Sequence, residues 1–384
     1  MANTLKFGNG NWATKEGSAL AYNDENGNFK PLPFSFERDS KATVINKDGL
    51  IEVVGSGQPR IDYKDDSKGA LLLEPSRTNY ISPSINLSNW ANFSAGGTVT
   101  TTDNYEFSPD GTQNASRIEM SGGNSVQWTY QNVSNLGTFA SFYVKSTNSN
   151  NQDFRWFWNN GSGGVDLVAT SEWQRFEVSV SQSSSLPMGF TTHSNLSSSD
   201  ILVYGVQVEQ GSYATSYIPT QGSAVTRLAD ICNYGGNEQV INSTEGVLYA
   251  EISSFISADF KSLSLSNASS SGDDNRVMIG FQNSILYVNV RVGNVYQFNK
   301  SLTMPVNNIN KIALKYKTND FALWVNGSEV ATDNSGTTFS SGLLKYIQFA
   351  DGRPTTSAFE GNVKDVKVYN TALTDQELAA LTQV

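Results

Sequence analysis

Charge is scarce in this chain. Only 16% of its 384 residues are Asp, Glu, Lys or Arg, against roughly 25% in ordinary soluble domains. Ser, Thr, Asn and Gly take their place, so the surface is solvated by neutral hydrogen bonding, a composition suited to meeting sugars or other proteins. Basic residues are scarcer than acidic ones. With 26 Lys and Arg against 36 Asp and Glu the net charge is −10, and no basic run appears. Nucleic acid is therefore not an expected partner, because phosphate binding requires clustered cations. There is one cysteine, Cys232, so no intrachain disulfide can form. It reads as a small buried thiol. The one histidine, His193, lies in a Ser/Thr-rich stretch, which leaves a thiolate or serine nucleophile without an obvious base. No apolar window approaches the roughly 18 residues of a membrane span, and Met1 to Gly10 lacks the charged and apolar regions of a signal peptide. Neither membrane insertion nor ordinary secretion is expected.

Helical periodicity is nearly absent as well. The exception is the C-terminus, where Thr374 and Glu377 form the Thr-x-x-Glu signature of a capping box. Asp375 and Glu377 suit the positive end of a helix dipole there. What fills the chain is short alternating apolar runs bounded by Gly, Asn, Asp and Ser. Examples are Ala42 to Ile45, Leu50 to Val54, Phe139 to Val144, Phe154 to Trp158, Ile201 to Val208, Val247 to Ile252, Ile285 to Val292, Phe321 to Val325 and Val363 to Tyr369. Strands at this spacing predict an all-β protein of tandem antiparallel β-sandwich (jelly-roll) domains with a short C-terminal helix. Length and turn signals suggest three segments: residues 1–75, 76–225 and 226–384. The Ile218-Pro219-Thr220-Gln221-Gly222 run marks the second boundary.

Three stretches carry family resemblance. Phe34-Ser35-Phe36-Glu37-Arg38-Asp39-Ser40-Lys41-Ala42-Thr43-Val44 is followed by Gly49-Leu50-Ile51-Glu52, Pro59-Arg60-Ile61-Asp62-Tyr63 and Gly69-Ala70-Leu71-Leu72-Leu73-Glu74-Pro75-Ser76-Arg77-Thr78-Asn79. This order resembles a module of bacteriophage tail and virion structural proteins, where it typically precedes a carbohydrate-binding-module-like jelly roll. Ser171-Glu172-Trp173-Gln174-Arg175-Phe176, and Val203-Tyr204-Gly205-Val206-Gln207-Val208-Glu209-Gln210-Gly211 with Ala214-Thr215-Ser216-Tyr217-Ile218-Pro219-Thr220, resemble the late strands of such jelly rolls. Asn310 to Tyr316, Phe321 to Gly327 and Gly361 to Asn370 resemble the laminin-G and concanavalin A-like sandwich. Asn326-Gly327 there is a two-residue hairpin turn.

These resemblances imply a virion surface protein: a tail fibre, head fibre or spike that engages host-surface carbohydrate without catalysis. It would be assembled in the host cytoplasm, act with other virion proteins and form a homo-oligomer, by analogy a trimer. Aromatic side chains are the candidate sugar contacts, because sugar rings stack their C–H faces on Trp and Tyr. Trp128 and Tyr130 alternate on one strand and share a face, as do Trp156 and Trp158, with Arg155 and Phe157 opposite. Asp153 and Asn159 supply hydrogen-bonding groups nearby. The competing expectation is that these rings fill the core, the role expected for Trp173 and Trp324. No cofactor is indicated, and Asp273 and Asp274 are the one candidate for a Ca²⁺ loop, although their spacing completes no calcium motif. Catalysis has little to stand on: Glu119, Asp153, Glu172 and Glu209 are unpaired in sequence, whereas a glycosidase needs two facing carboxylates. A virion decoration or cement protein, a polysaccharide depolymerase and a bacterial surface lectin remain as alternatives.

Overall fold

The computed structural model describes residues 4–22, 31–122, 127–133, 138–181, 185–192, 198–269, 274–353 and 356–384. Among the described residues it is all-β apart from one short 3₁₀ turn and a C-terminal helix, Asp375–Thr382. The chain divides into two compact units, one made of residues 48–53 and 76–227, the other of residues 1–47, 54–75 and 228–384.

The first of these is a sandwich of two five-stranded antiparallel sheets. One runs Ala91–Ser94, Gln127–Asn132, Pro187–Thr191, Gln152–Trp158, Gly163–Ala169; the other runs Thr98–Phe107, Gln113–Ser121, Ser198–Glu209, Phe139–Ser146, Gln174–Ser179. The chain crosses repeatedly between the sheets, as in a jelly roll. Between them lie Ile118, Phe142, Phe154, Trp156, Phe190 and Val203, all buried. Each such side chain contributes ~1.5–3 kcal/mol by leaving water. Where the chain enters and leaves this unit, Arg77–Asn79 pairs with Val225–Arg227. The buried Asn79 amide donates to the carbonyls of Val206 and Ile218, and its oxygen accepts from the amides of Ile81 and Val208. Glu209, also buried, accepts from the amide and hydroxyl of Thr215 at 2.9 and 2.7 Å and from Gln207 Nε2 at 2.7 Å. The jelly-roll-like motif around residues 203–220 is thus held together by its own buried polar groups. Trp173, expected in the core, is half-buried and donates its Nε1–H to the carbonyl of Phe107.

The second unit corrects the three-segment reading. Residues 1–75 do not form a separate module: most of their strands, from Leu5–Gly8 to Ala70–Leu73, belong to the same sheet as residues 226–384, while Ala42–Ile45 and Ile51–Val54 pair only with each other. The last strand, Gly361–Tyr369, pairs on one edge with Glu245–Ser254. Its other edge is covered end to end by Leu5–Gly8 and Ala70–Leu73, so no unpaired row of amides is left there. The close approach at this edge needs a glycine: Gly8 has φ +99°, and a Cβ would lie 2.4 Å from the carbonyl oxygen of Lys364. The order of the large sheet is Ile231–Asn233, Pro31–Glu37, Ser18–Tyr22, Leu5–Gly8, Gly361–Tyr369, Glu245–Ser254, Asn310–Lys317, Phe321–Val325, Ser328–Asp333. A second sheet runs Val295–Thr303, Ile285–Val292, Arg276–Gln282, Lys261–Ser266, Tyr346–Gln348. Its inward Leu263, Ile279 and Val288 meet Leu248, Leu314 and Val366 of the large sheet in one core.

The hairpin at Asn326-Gly327 has φ +49° and +82°, as its two-residue turn requires. The C-terminal capping box is present in both directions. The helix covers the outward face of the large sheet rather than an end of the sandwich: Leu378 packs among Tyr249, Ala313, Trp324 and Tyr369.

Candidate functional site

Alternation along a strand decides which side chains share a face, and the neighbouring strands decide which face is buried. In the sheet that contains Gln127–Asn132, two registers define the outward surface. One row reads Phe93, Trp128, Thr191, Arg155, Asp166; the next reads Ala91, Tyr130, Gly189, Phe157, Gly164. Trp128 lies over Phe157 with ring centroids 4.6 Å apart, beside Phe93 at 5.5 Å and edge-on to Tyr130 at 6.3 Å. Trp128 and Tyr130 are half-buried, and Phe93 is 48% exposed. Next to Tyr130 and Phe157 stand Gly189 and Gly164, which add no side chain to the face. At Gly189 none would fit, since a Cβ would lie 2.1 Å from the Thr129 carbonyl oxygen. At the other end of the first row Arg155 Nη1 meets Asp166 Oδ1 at 2.9 Å. The surface therefore offers an apolar ring step flanked by a charged pair, the combination that binds an amphipathic ring: C–H faces on the aromatics, hydroxyls on the polar groups.

The other predicted pair points the opposite way. Trp156 has 0% exposure and packs on Phe142 at 4.7 Å and Phe190 at 5.0 Å between the sheets. It offers no face to a sugar. Trp158 is half-buried on the same core side and lies over Gly163, where a Cβ would come within 2.2 Å of its Nε1. The sequence-predicted pair Trp156 and Trp158 is thus corrected to core; on the outward side Arg155 reaches the surface, while Phe157, 1% exposed, is covered by Trp128. Asp153 is exposed on the outward side opposite Val168. Asn159 sits at φ +51° in the turn after Trp158 and donates through Nδ2 to the carbonyl of Ser181 at 2.6 Å. It shapes the turn on which Trp128 rests, because a Cβ on Gly161 would touch the Trp128 ring at 3.0 Å. Phe93 and Asp166 carry no distinctive motif. Their signal was the strand pairing itself.

Asp273 lies outside the described residues. Asp274 is exposed, and its carbonyl accepts from the amide of Asn294 at 2.9 Å. Among the described residues no three of His, Cys, Asp and Glu are grouped to hold a metal. Cys232 is buried, and burial pushes its thiol pKa well up, away from thiolate chemistry.

Residues 253–379 match the concanavalin A-like lectin/glucanases superfamily, in the Laminin_G_3 family model. The match covers about a third of the chain. Comparison with curated proteins gives no match. Among solved structures, the chain is similar to the CBM40 of the Ruminococcus gnavus IT-sialidase bound to alpha2,3 sialyllactose, at 22% identity over 40% of this chain and 94% of that one, with a TM-score of 0.33. Similarity to a heptameric SAP-like pentraxin from Limulus polyphemus covers 39% of this chain and 74% of that one, at 15% identity and a TM-score of 0.32. Domain 4 of the arabinanase AbnA from Geobacillus stearothermophilus, in complex with arabinotriose, is 12% identical over 45% of this chain and 83% of its own, with a TM-score of 0.31.

Within the concanavalin A-like unit, the charged residues of the N-terminal motif form one buried network. Arg38 Nη1 meets Asp230 Oδ1 at 2.9 Å, Arg60 Nη1 meets Glu74 Oε2 at 2.6 Å, and Arg60 Nη2 pairs with Asp230 Oδ2. The Glu74 amide also donates to Asp230 at 2.9 Å, and Arg38 donates to the carbonyls of Ser40, Gln58 and Gly55. Burial works against the Arg60 charge, but Asp230 and Glu74 outweigh it and hold its pKa above the ordinary arginine value. Removing one partner of such a pair costs ~3–5 kcal/mol, because the other is left buried and uncompensated. The network staples Arg38, Arg60 and Glu74 to the strand entry at Asp230. Its role is structural.

Proposed function

We propose that the protein is a bacteriophage virion surface component, a tail fibre, head fibre or spike, that binds host-surface carbohydrate without catalysis. The observation that carries the carbohydrate reading is the outward row of Phe93 and Trp128, backed by the buried Phe157, with Tyr130 alongside and Arg155–Asp166 at its end. A solvent-facing aromatic cluster on a rigid sheet has little conformational entropy to lose when a sugar stacks on it. The lectin-like fold of residues 253–379 supports the same class of ligand. The virion assignment rests on the N-terminal motif, whose Arg38, Arg60 and Glu74 are the residues of the buried network. Binding is reversible and weak per site, so several copies on one particle, as a homo-oligomer among other virion proteins, would raise avidity through effective concentration. The non-catalytic reading is supported by what the carboxylates do: Glu209 is occupied by Thr215 and Gln207, and Asp200 by a two-pronged contact from Arg117 at 2.8 Å.

The test is binding of the purified protein to host cells and to a glycan array, wild type against a Trp128→Ala, Tyr130→Ala variant. Saturable binding by wild type, lost in the variant while its melting temperature stays close to wild type, is the expected result. If the folded wild type binds neither cells nor any glycan, the carbohydrate reading falls and a decoration or cement role takes its place.

A further inference from the structure

A polar pocket of about 450 Å³ lies on the outward face of the concanavalin A-like unit, within the ~300–1,000 Å³ range of small-molecule sites. Its floor is a cross-strand row. Lys311, Glu251, Asp365 and Gly8 stand side by side on four neighbouring strands, in register. Asn9 and the turn carrying Asp66, Ser67 and Lys68 line one side, and Leu381 of the C-terminal helix also borders it.

The charges inside do not cancel. Lys364 is held between Asp66 at 2.6 Å and Glu251 at 3.1 Å. Lys367 pairs with Asp365 at 2.6 Å and lies 4.9 Å over the Tyr249 ring. The three acids are thus matched by two lysines in direct ion pairs. Two further ammonium groups, Lys68 and Lys311, hydrogen-bond only to neutral oxygens among the described residues, Asn9 Oδ1 at 3.1 Å and the Gln383 carbonyl at 2.7 Å, although Asp66 also attracts Lys68 without a direct ion pair. The pocket carries four lysines against three carboxylates in a protein whose net charge is −10. It also holds an unmet acceptor. Asp365 is 2% exposed, and its Oδ1 has no hydrogen-bond partner among the described residues. Burial raises the Asp365 pKa, as expected of a carboxylate short of donors. A buried acceptor is costly to leave unpaired, and an unsaturated ammonium favours an anion.

A ligand that answers both demands presents hydroxyl donors toward Glu251 and Asp365 and a negative group toward Lys68 and Lys311. We propose that this pocket binds an acidic sugar, a saccharide unit bearing a carboxylate beside its hydroxyls. The site is separate from the aromatic surface of the jelly-roll unit and does not depend on it. Lys364 and Asp66 also line an adjoining pocket of about 340 Å³ with Asp62, Asn307, Asn308 and Asn362. Their ion pair stands between the two pockets, so an oligosaccharide longer than one unit would displace it.

The test is calorimetric titration of the full chain with trigalacturonate and with its methyl ester, the uncharged match. The acid is expected to bind about tenfold more tightly than the ester, with affinity falling as salt rises. A Lys68→Gln, Lys311→Gln variant with an unchanged melting temperature should bring the acid down to the ester's affinity, and Trp128→Ala should leave both unchanged. Equal affinity for acid and ester, no binding by the folded wild type, or loss on Trp128→Ala but not on the lysine substitutions would each overturn the assignment. The last of these would instead place all sugar binding on the jelly-roll surface.

Discussion

Two strands in one sheet, Gln127–Asn132 and Gln152–Trp158, each carry a pair of large aromatics two residues apart, and they use them in opposite ways. Trp128 and Tyr130 face out, with the polar Gln127 and Thr129 buried behind them. Trp156 and Trp158 face in, with Arg155 and Phe157 on the outward side, Phe157 buried beneath Trp128. Local hydrophobicity alone would turn both pairs toward the core, because apolar burial is the dominant favourable term. At Gln127–Asn132 it does not win. The outward rings still bury much of their area, on Phe157 and on each other, while Gln127 is satisfied inside by the Gly122 carbonyl and Thr192. A sheet can therefore display aromatics without exposing them fully, by stacking them on a neighbour. That is a stiff, half-desolvated surface, well suited to a flat ligand.

The comparison breaks most easily at its larger end. Trp156→Ala should destabilise the jelly-roll unit by ~3–5 kcal/mol, the usual cost of deleting a fully buried large aromatic, read as a shift in the chemical-denaturation midpoint. Sugar affinity, measured where the variant is still folded, should stay near wild type. A variant that keeps its stability and loses sugar binding would show that Trp156 is a contact residue after all. Trp128→Ala should do the reverse. Its half-buried ring leaves a stability cost of about 1 kcal/mol, while affinity for the glycan held on the aromatic surface falls about tenfold or more, since a tenfold loss needs only ~1.4 kcal/mol of lost stacking.

Much of the fold was legible in the sequence because strand and turn signals are local. Ile285–Val292 and Phe321–Val325 occur at the residues the alternation predicts, Thr374 and Glu377 cap as their spacing requires, and Asn326-Gly327 turns as it should. Sequence alternation also placed Trp128 with Tyr130 and Trp156 with Trp158 on shared faces. It could not say which face is inside, since that depends on pairing with Phe93, and with Phe190 and Thr191, from two separate segments. The domain count failed for a related reason. Leu5–Gly8 pairs with Gly361–Tyr369, and Asp230 meets Arg38 across 192 residues of sequence. No composition shift or linker signal reports a contact of that range. The motif that suggested a separate N-terminal module is instead one end of a buried network whose other end is Asp230.

The smallest effect sharpens the comparison most, because it tests the polar side of the outward-facing strand. Thr129 is fully buried opposite Phe190, and its hydroxyl has no partner among the described residues. If the strand displays Trp128 at the expense of burying this residue, Thr129→Val should remove an orphaned hydroxyl from the core at nearly constant shape. Stability should then rise by about 1 kcal/mol, or ~2–4 °C in melting temperature for a unit of this size, with sugar affinity unchanged. Thr191 in the neighbouring strand is the control. It too is buried, but its hydroxyl donates to the Thr192 carbonyl at 2.8 Å, so Thr191→Val should lose ~0.5–1.5 kcal/mol instead of gaining. Opposite signs at the two threonines would confirm that Thr129 is the cost of turning the aromatics outward. A loss at both would mean that the Thr129 hydroxyl is satisfied in solution, and that the strand faces as it does at no expense to the core.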